Sequence, residues 1–268
     1  MSRSSRSKPV VIVAGVAVAA ALLGLVSYTA TKPDARPSAD SGTSVAAEPT
    51  SGVYPELESY ARRDASDGLA LGRADAPVVL IEYADFKCGY CGQFARDTEP
   101  KLIEKYVENG TLRIEWRNFP IFGEESEAAA RASWAAARQG RFWEFHRAAY
   151  AKGAKEKGFG EARLTALARE AGVPDLAKFA ADSAGAAARE AVSADQEQGY
   201  SLGATSTPSF LVNGRPIAGA QPMETFVEAI EAAARTAKAK GTKAAGPSGT
   251  PSGSPGAPGS AAPSAAAR

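Results

Sequence analysis

Very little of this chain can bind a metal or bridge to itself. Its 268 residues contain two cysteines, Cys88 and Cys91, and one histidine, His146. A structural zinc centre takes four Cys/His ligands, so three such side chains exclude one within a single chain. Charge of one sign is also missing: 31 Lys+Arg stand against 30 Asp+Glu, a formal net charge of +1. That balance offers no polybasic surface, so nucleic acid is not an expected partner. No cysteine lies directly after the apolar N-terminal run, which excludes a lipid-attached cysteine there. What is present is enough for a packed core, with 44% hydrophobic and 23% charged residues in a length that allows one or two domains.

The two cysteines fall together in Val78-Val79-Leu80-Ile81-Glu82-Tyr83-Ala84-Asp85-Phe86-Lys87-Cys88-Gly89-Tyr90-Cys91. A β-branched apolar run suits a buried central strand over 78–83. It ends in a turn that delivers Cys-x-x-Cys into a helix. A thiol at a helix N-terminus meets the positive end of the dipole and free N–H groups, and both favour thiolate. Cys88 is therefore expected to be exposed and reactive, and Cys91, one turn deeper, shielded and able to resolve mixed disulfides. A structural bridge is the alternative, but a disulfide closing so short a loop constrains the unfolded chain little. Glu82 sits six residues before Cys88, inside the apolar strand. If buried, its carboxyl rises in pKa and can pass a proton to or from Cys91. If strand alternation turns it to solvent, it has no such role.

The chain around this stretch divides by composition. Residues 1–8 carry Arg3, Arg6 and Lys8 and no acid, and 10–26 run without a charge. This pattern reads as an uncleaved membrane anchor over 9–28, with a cleaved export signal as the alternative. The positive-inside rule then leaves 1–8 in the cytoplasm and everything beyond outside. Residues 29–52 read as a Pro/Ser/Ala-rich tether, and 241–268, with almost nothing but Gly, Pro, Ser, Ala, Thr and a few basic residues, as a disordered tail. The folded domain is expected over 53–240. Within it a helix should run from Cys88 to about 108, bent at Pro100 and stopped by Asn109-Gly110. Alternation predicts a second strand over 112–119, and strand–helix–strand implies a parallel crossover. Helices are expected over 124–138, 142–151, 164–171, 176–181 and 186–203, as an insertion spanning about 121–203. A hairpin follows at Asn213-Gly214 between 208–212 and 215–218, then a helix over 223–238 with Phe226, Ile230 and Ala234 on one stripe. An X–Pro bond at Thr207-Pro208 would be trans on base rates.

The core resembles the DsbA-like branch of the thioredoxin superfamily, the exported thiol:disulfide oxidoreductases. The residues that carry the likeness are Glu82-x5-Cys88-Gly89-Tyr90-Cys91, Phe119-Pro120, Phe142-Trp143-Glu144-Phe145-His146 and Gly203-x3-Thr207-Pro208-Ser209-Phe210. The resemblance implies an α/β thioredoxin fold with an inserted helical domain, behind an N-terminal transmembrane helix of the kind seen in actinobacterial members. It implies a cis Pro208 lying against the cysteine pair. Thr207, Pro208, Gly89 and Tyr90 would then contact an extended substrate segment, with Thr207 offering its backbone. It implies reduced exported proteins as substrates, a quinone-linked membrane re-oxidase as partner, and no bound cofactor. Gly89-Tyr90 replaces the Pro-His and Gly-Pro dipeptides of better-known relatives, so no histidine inside the motif faces the Cys88 thiolate. Lys87 either supplies charge there or points away. His146, in an aromatic helical stretch, reads as structural. Residues 31–75 are too polar and short for a dimerisation domain, so a monomer is expected. The function implied is disulfide formation in secreted proteins. A reductase or isomerase of the same fold and a non-catalytic tethered binding module with an inert cysteine pair are the alternatives.

Overall fold

The computed structural model describes residues 52–244. The expected anchor, the tether up to residue 51 and the tail from 245 onward lie outside the described residues. Among the described residues no helix is long and apolar enough to cross a membrane.

Five strands form one sheet: β1 (Ala70–Leu71), β2 (Val78–Ala84), β3 (Leu112–Asn118), β4 (Ser209–Val212) and β5 (Arg215–Ala218), in the order β1-β3-β2-β4-β5. β2 is central. It pairs in parallel with β3, Glu82 opposite Trp116, and antiparallel with β4, Glu82 opposite Phe210. Every residue of β2 is buried, as its β-branched run requires for a strand covered on both faces. One face packs Val78, Leu80 and Ala84 into the main core with Ile114, Trp116 and Phe210. The other packs Val79, Ile81 and Tyr83 against Phe119 and Leu211. The β4–β5 turn is the anticipated one. Asn213 and Gly214 have φ of 41° and 80°, and the Asn213 amide ties the turn to β2 by accepting from the Val79 N–H at 2.8 Å.

After β2 come α1 (Gly89–Asp97) and α2 (Glu99–Leu102), then a π-helical turn, Ile103–Val107. The single bent helix expected over 88–108 is therefore broken. Pro100 cannot donate to the preceding turn, so α1 ends at Thr98 (φ −113°) and Pro100 occupies the first turn of a new helix, where no donor is needed. The insertion between β3 and β4 holds α3 (Glu124–Ala137), α4 (Phe142–Ala149), α5 (Glu161–Glu170), α6 (Leu176–Ala184) and α7 (Ala186–Ser201). The last helix, α8 (Met223–Ala244), seats Phe226 and Ile230 in the core. It runs past the expected stop near 238, because Gly241 alone, at about 1 kcal/mol against alanine, does not end a helix rich in Ala and Lys.

β3 departs from its alternating pattern in one respect. All seven of its residues are buried, including Arg113, Glu115 and Arg117. The segment leading into the sheet covers them. Arg62 and Arg63 donate their backbone N–H groups to the Glu115 carboxylate at 2.8 Å each, and Arg113 and Arg117 add side-chain bonds at 2.8 and 2.9 Å. That segment begins with a short 3-10 turn, Pro55–Tyr60.

Candidate active site

Cys88 is the N-cap of α1, and its sulfur accepts from the Cys91 N–H at 3.4 Å. The turn that delivers it is fixed by Asp85. The Asp85 backbone carbonyl accepts from the Cys88 N–H at 2.9 Å and from the Tyr150 hydroxyl at 2.9 Å. Its buried carboxylate accepts from Lys87 N–H, Ile121 N–H, Phe122 N–H and the Ser126 hydroxyl, at 2.7, 2.7, 3.2 and 2.6 Å. Asp85 thus ties the cysteine turn to the start of the helical insertion, a role that residue type and position in the sequence do not signal.

The two cysteines are free thiols with different surroundings. Hydrogen bonding to Cys91, with further help from the Thr207 side chain and the Tyr90 and Cys91 N–H groups, outweighs burial and brings the Cys88 pKa down to about 6. Cys91 is fully buried, and burial first, then Cys88, push its thiol well above the ordinary range. Cys88 itself is only 5% exposed, less than expected from its place at a helix start. It nonetheless borders an open groove walled by Tyr90, Phe122, Lys155, Ser206 and Thr207. The exposed rings of Tyr90 and Phe122 supply apolar surface there.

The Thr207-Pro208 bond is cis, and the Cys88 thiol donates to the Thr207 carbonyl at 3.2 Å. Thr207, Gly89, Tyr90 and Cys88 therefore line one groove, with the buried Pro208 next to Thr207 in the chain. Lys87 points to Glu125, 2.8 Å away, so it is committed to a partner other than the cysteine.

Glu82 lies beneath the pair, fully buried, with neither carboxyl oxygen hydrogen-bonded among the described residues. Burial, then Glu99 and Cys88, raise its pKa well above the usual carboxylate range. Glu99, which the sequence reading did not single out, is a second buried acid at the start of α2, pushed by burial up to about 8. His146 on α4 is fully enclosed among Trp116, Phe142 and Tyr150, and burial pushes it down to about 3, so it is neutral. Among the described residues no cluster of His, Cys, Asp and Glu has the makings of a metal site.

Comparison with known proteins places this geometry. The Thioredoxin family model matches residues 64–232. The chain belongs to the thioredoxin family. A probable disulfide bond formation protein D of Bacillus cereus is 32% identical over 151 residues, covering 54% of this chain and 69% of that protein. A Na+/H+ antiporter of Salinispora tropica is 32% identical over 169 residues, which is 62% of this chain but 25% of the antiporter. Among solved structures, oxidised BdbD of Bacillus subtilis shares the fold with a TM-score of 0.58 at 24% identity, over 62% of this chain and 92% of that one. The α-DsbA1 protein of Wolbachia pipientis has a TM-score of 0.56 at 25% identity, over 64% and 93%. Within the thioredoxin family the chain is a DsbA-like thiol:disulfide oxidoreductase, built on the α/β fold with its helical insertion.

Proposed function

We propose that this protein introduces disulfide bonds into exported proteins through Cys88 and Cys91. The observation that carries the reading is the contrast between the two sulfurs: Cys88 brought down to about 6, Cys91 pushed up beneath it. A stabilised Cys88 thiolate favours the reduced enzyme, and a dithiol pair stable in its reduced form is an oxidant toward others. In the oxidised enzyme a substrate thiolate attacks Cys88 Sγ. The Cys88–Cys91 bond breaks, and its electron pair goes to Cys91. A second substrate thiolate then attacks the mixed disulfide at the substrate sulfur, and Cys88 leaves as thiolate. Glu82 supplies the proton that Cys91 requires, since a thiolate in that apolar pocket is strongly disfavoured.

The substrate is a reduced, extended segment. It lies in the groove between Tyr90 and Phe122, with Gly89, Thr207 and Pro208 contacting its backbone near the reacting cysteine. Asp85 holds Phe122 through its carboxylate and Cys88 through its backbone carbonyl, and so keeps groove and reactive cysteine together. Residues 9–28 anchor a monomeric protein in the cell membrane with the domain outside, and a membrane oxidant, quinone-linked, restores the disulfide. No bound cofactor takes part.

The reduction potential tests the direction. A value near about −120 mV fits an oxidase, and one near about −270 mV fits a reductase or isomerase. Cys91→Ala expressed in cells should accumulate covalent complexes with exported proteins. If it gathers none, the exchange route is wrong.

A further inference from the structure

Glu99 and His146 are enclosed ionisable groups that the exchange scheme above leaves idle. The sheet register sets Glu82 between Trp116 and Phe210. The Trp116 ring lies 5.1 Å from the His146 ring, and the Phe210 ring 4.6 Å from Phe94 on α1. The two strand neighbours of Glu82 thus touch the helix that carries His146 and the helix that leads to Glu99. Glu99 Oε2 is 3.7 Å from His146 Nδ1. Both oxygens of Glu82, Oε1 of Glu99 and both nitrogens of His146 have no hydrogen-bond partner among the described residues. Interiors seldom leave such atoms unpaired, and five of them on three buried residues call for an explanation beyond packing.

We propose that Glu99 is a positioning residue for disulfide exchange, sharing with Glu82 the proton delivered to Cys91 and resting its own charge beside His146. The inference builds on the relay role given to Glu82 above. Two carboxyls in a dry pocket resist ionising together. A charge on Glu99 raises Glu82 further and so keeps the Glu82 proton in place. The other titratable groups facing the pair are Cys88 and Cys91 at the start of α1, His146 and Arg147 from α4, and Tyr150 after it. Arg147 alone among them is a fixed cation, and it favours the charge on Glu99.

The step balances as follows. A substrate thiol gives its proton to solvent and its sulfur bonds to Cys88 Sγ. The Cys88–Cys91 bond breaks with its electron pair on Cys91, which takes the Glu82 proton. Glu99 returns a proton to Glu82 and carries the charge beside the neutral imidazole. The second substrate thiol loses its proton, which refills Glu99, while its sulfur forms the substrate disulfide and releases Cys88 as thiolate.

The test uses the full-length oxidised protein, a reduced dithiol peptide, and the variants Glu82→Gln, Glu99→Gln and Glu99→Asp. Rates between about pH 6 and about pH 9 are taken as ratios to wild type at each pH, so that substrate ionisation cancels. Glu82→Gln should be slow throughout. Glu99→Gln, which has no proton to return to Glu82, should be slower than wild type at the acid end and lose its remaining rate at a pH lower by about one unit, because Glu82 then ionises without its neighbour's charge. Glu99→Asp should recover the wild-type profile. A Glu99→Gln profile that overlays wild type, with Glu82→Gln slow, overturns this inference and leaves the relay standing. A normal rate in Glu82→Gln removes the relay and this inference together. A second readout does not depend on rate. The infrared spectrum should show two buried protonated carboxyls in wild type and one in Glu99→Gln, and two in both would also overturn the inference.

Discussion

Glu82 and Glu115 occupy adjacent strands one register position apart, both fully buried, and their carboxyls are driven in opposite directions. Glu115 faces the side of the sheet where the chain entering the domain wraps over it. Four donors meet its oxygens, and although burial opposes ionisation, the bonds from Arg113, Arg117 and the Arg62 and Arg63 backbones bring it down to about 2. Glu82 faces the side where α1 and α4 pack apolar rings on the sheet. It meets no donor, and its carboxyl rises. Burial does not set the fate of a carboxylate by itself; the supply of donors does. The satisfied acid holds the fold together, and the unsatisfied one is available for chemistry.

Mutations that exchange these roles would break the comparison. The largest effect belongs to the nucleophile: Cys88→Ser should reduce disulfide exchange with a dithiol peptide to the uncatalysed background, with the melting curve nearly unchanged. Next comes Glu115→Gln. It leaves Arg113 and Arg117 buried without their counter-charge and should cost about 3 kcal/mol in denaturant unfolding, while the Cys88 thiol keeps its acidity. Retained stability would mean that the arm over β3 does little.

The two acids also predict opposite pH slopes. Glu115, lowered in the fold to about 2, contributes stability that is complete above the ordinary carboxyl pKa of about 4.3 and is lost as pH falls toward 2. Glu82 and Glu99 are both raised, so their contribution is complete below about 4.3 and is lost as pH rises, for Glu99 through about 8. Glu82→Gln should therefore be more stable relative to wild type at about pH 8 than at about pH 4, while losing exchange activity. Unfolding curves at acid and alkaline pH separate the two slopes. The smallest effect sharpens the local claim: Lys87→Gln should move the Cys88 pKa by less than about 0.5, because that lysine is engaged with Glu125 and its exposed pair is screened.

The central strand, the cysteine turn and the Asn213-Gly214 hairpin are legible in the sequence because each rests on contacts between near neighbours. A β-branched run, an N-terminal helix signal and two positive-φ positions need no knowledge of distant chain. Helix positions in the insertion follow from Ala-rich periodicity for the same reason. Glu82 could be placed in a buried strand, but the second buried acid, Glu99, could not be found, since one acid at the start of a four-residue helix has no pattern. The Glu115 network is equally hidden: two of its four donors come from 52 and 53 residues away, and an alternating strand is expected to show its charges to water. β1, two residues long, offers no period to detect. The reduced exposure of Cys88 has the same origin, because Thr207, which approaches its sulfur, is 119 residues distant.

The account stands on an acidic Cys88 sulfur, and its alkylation rate as a function of pH in the reduced protein measures that directly. The half-point of the Cys88 reaction should fall near pH 6, with Cys91 unreactive over the same range. A half-point near about 8.5, that of an ordinary thiol, would contradict the assignment of Cys88 as the nucleophile of an oxidising pair.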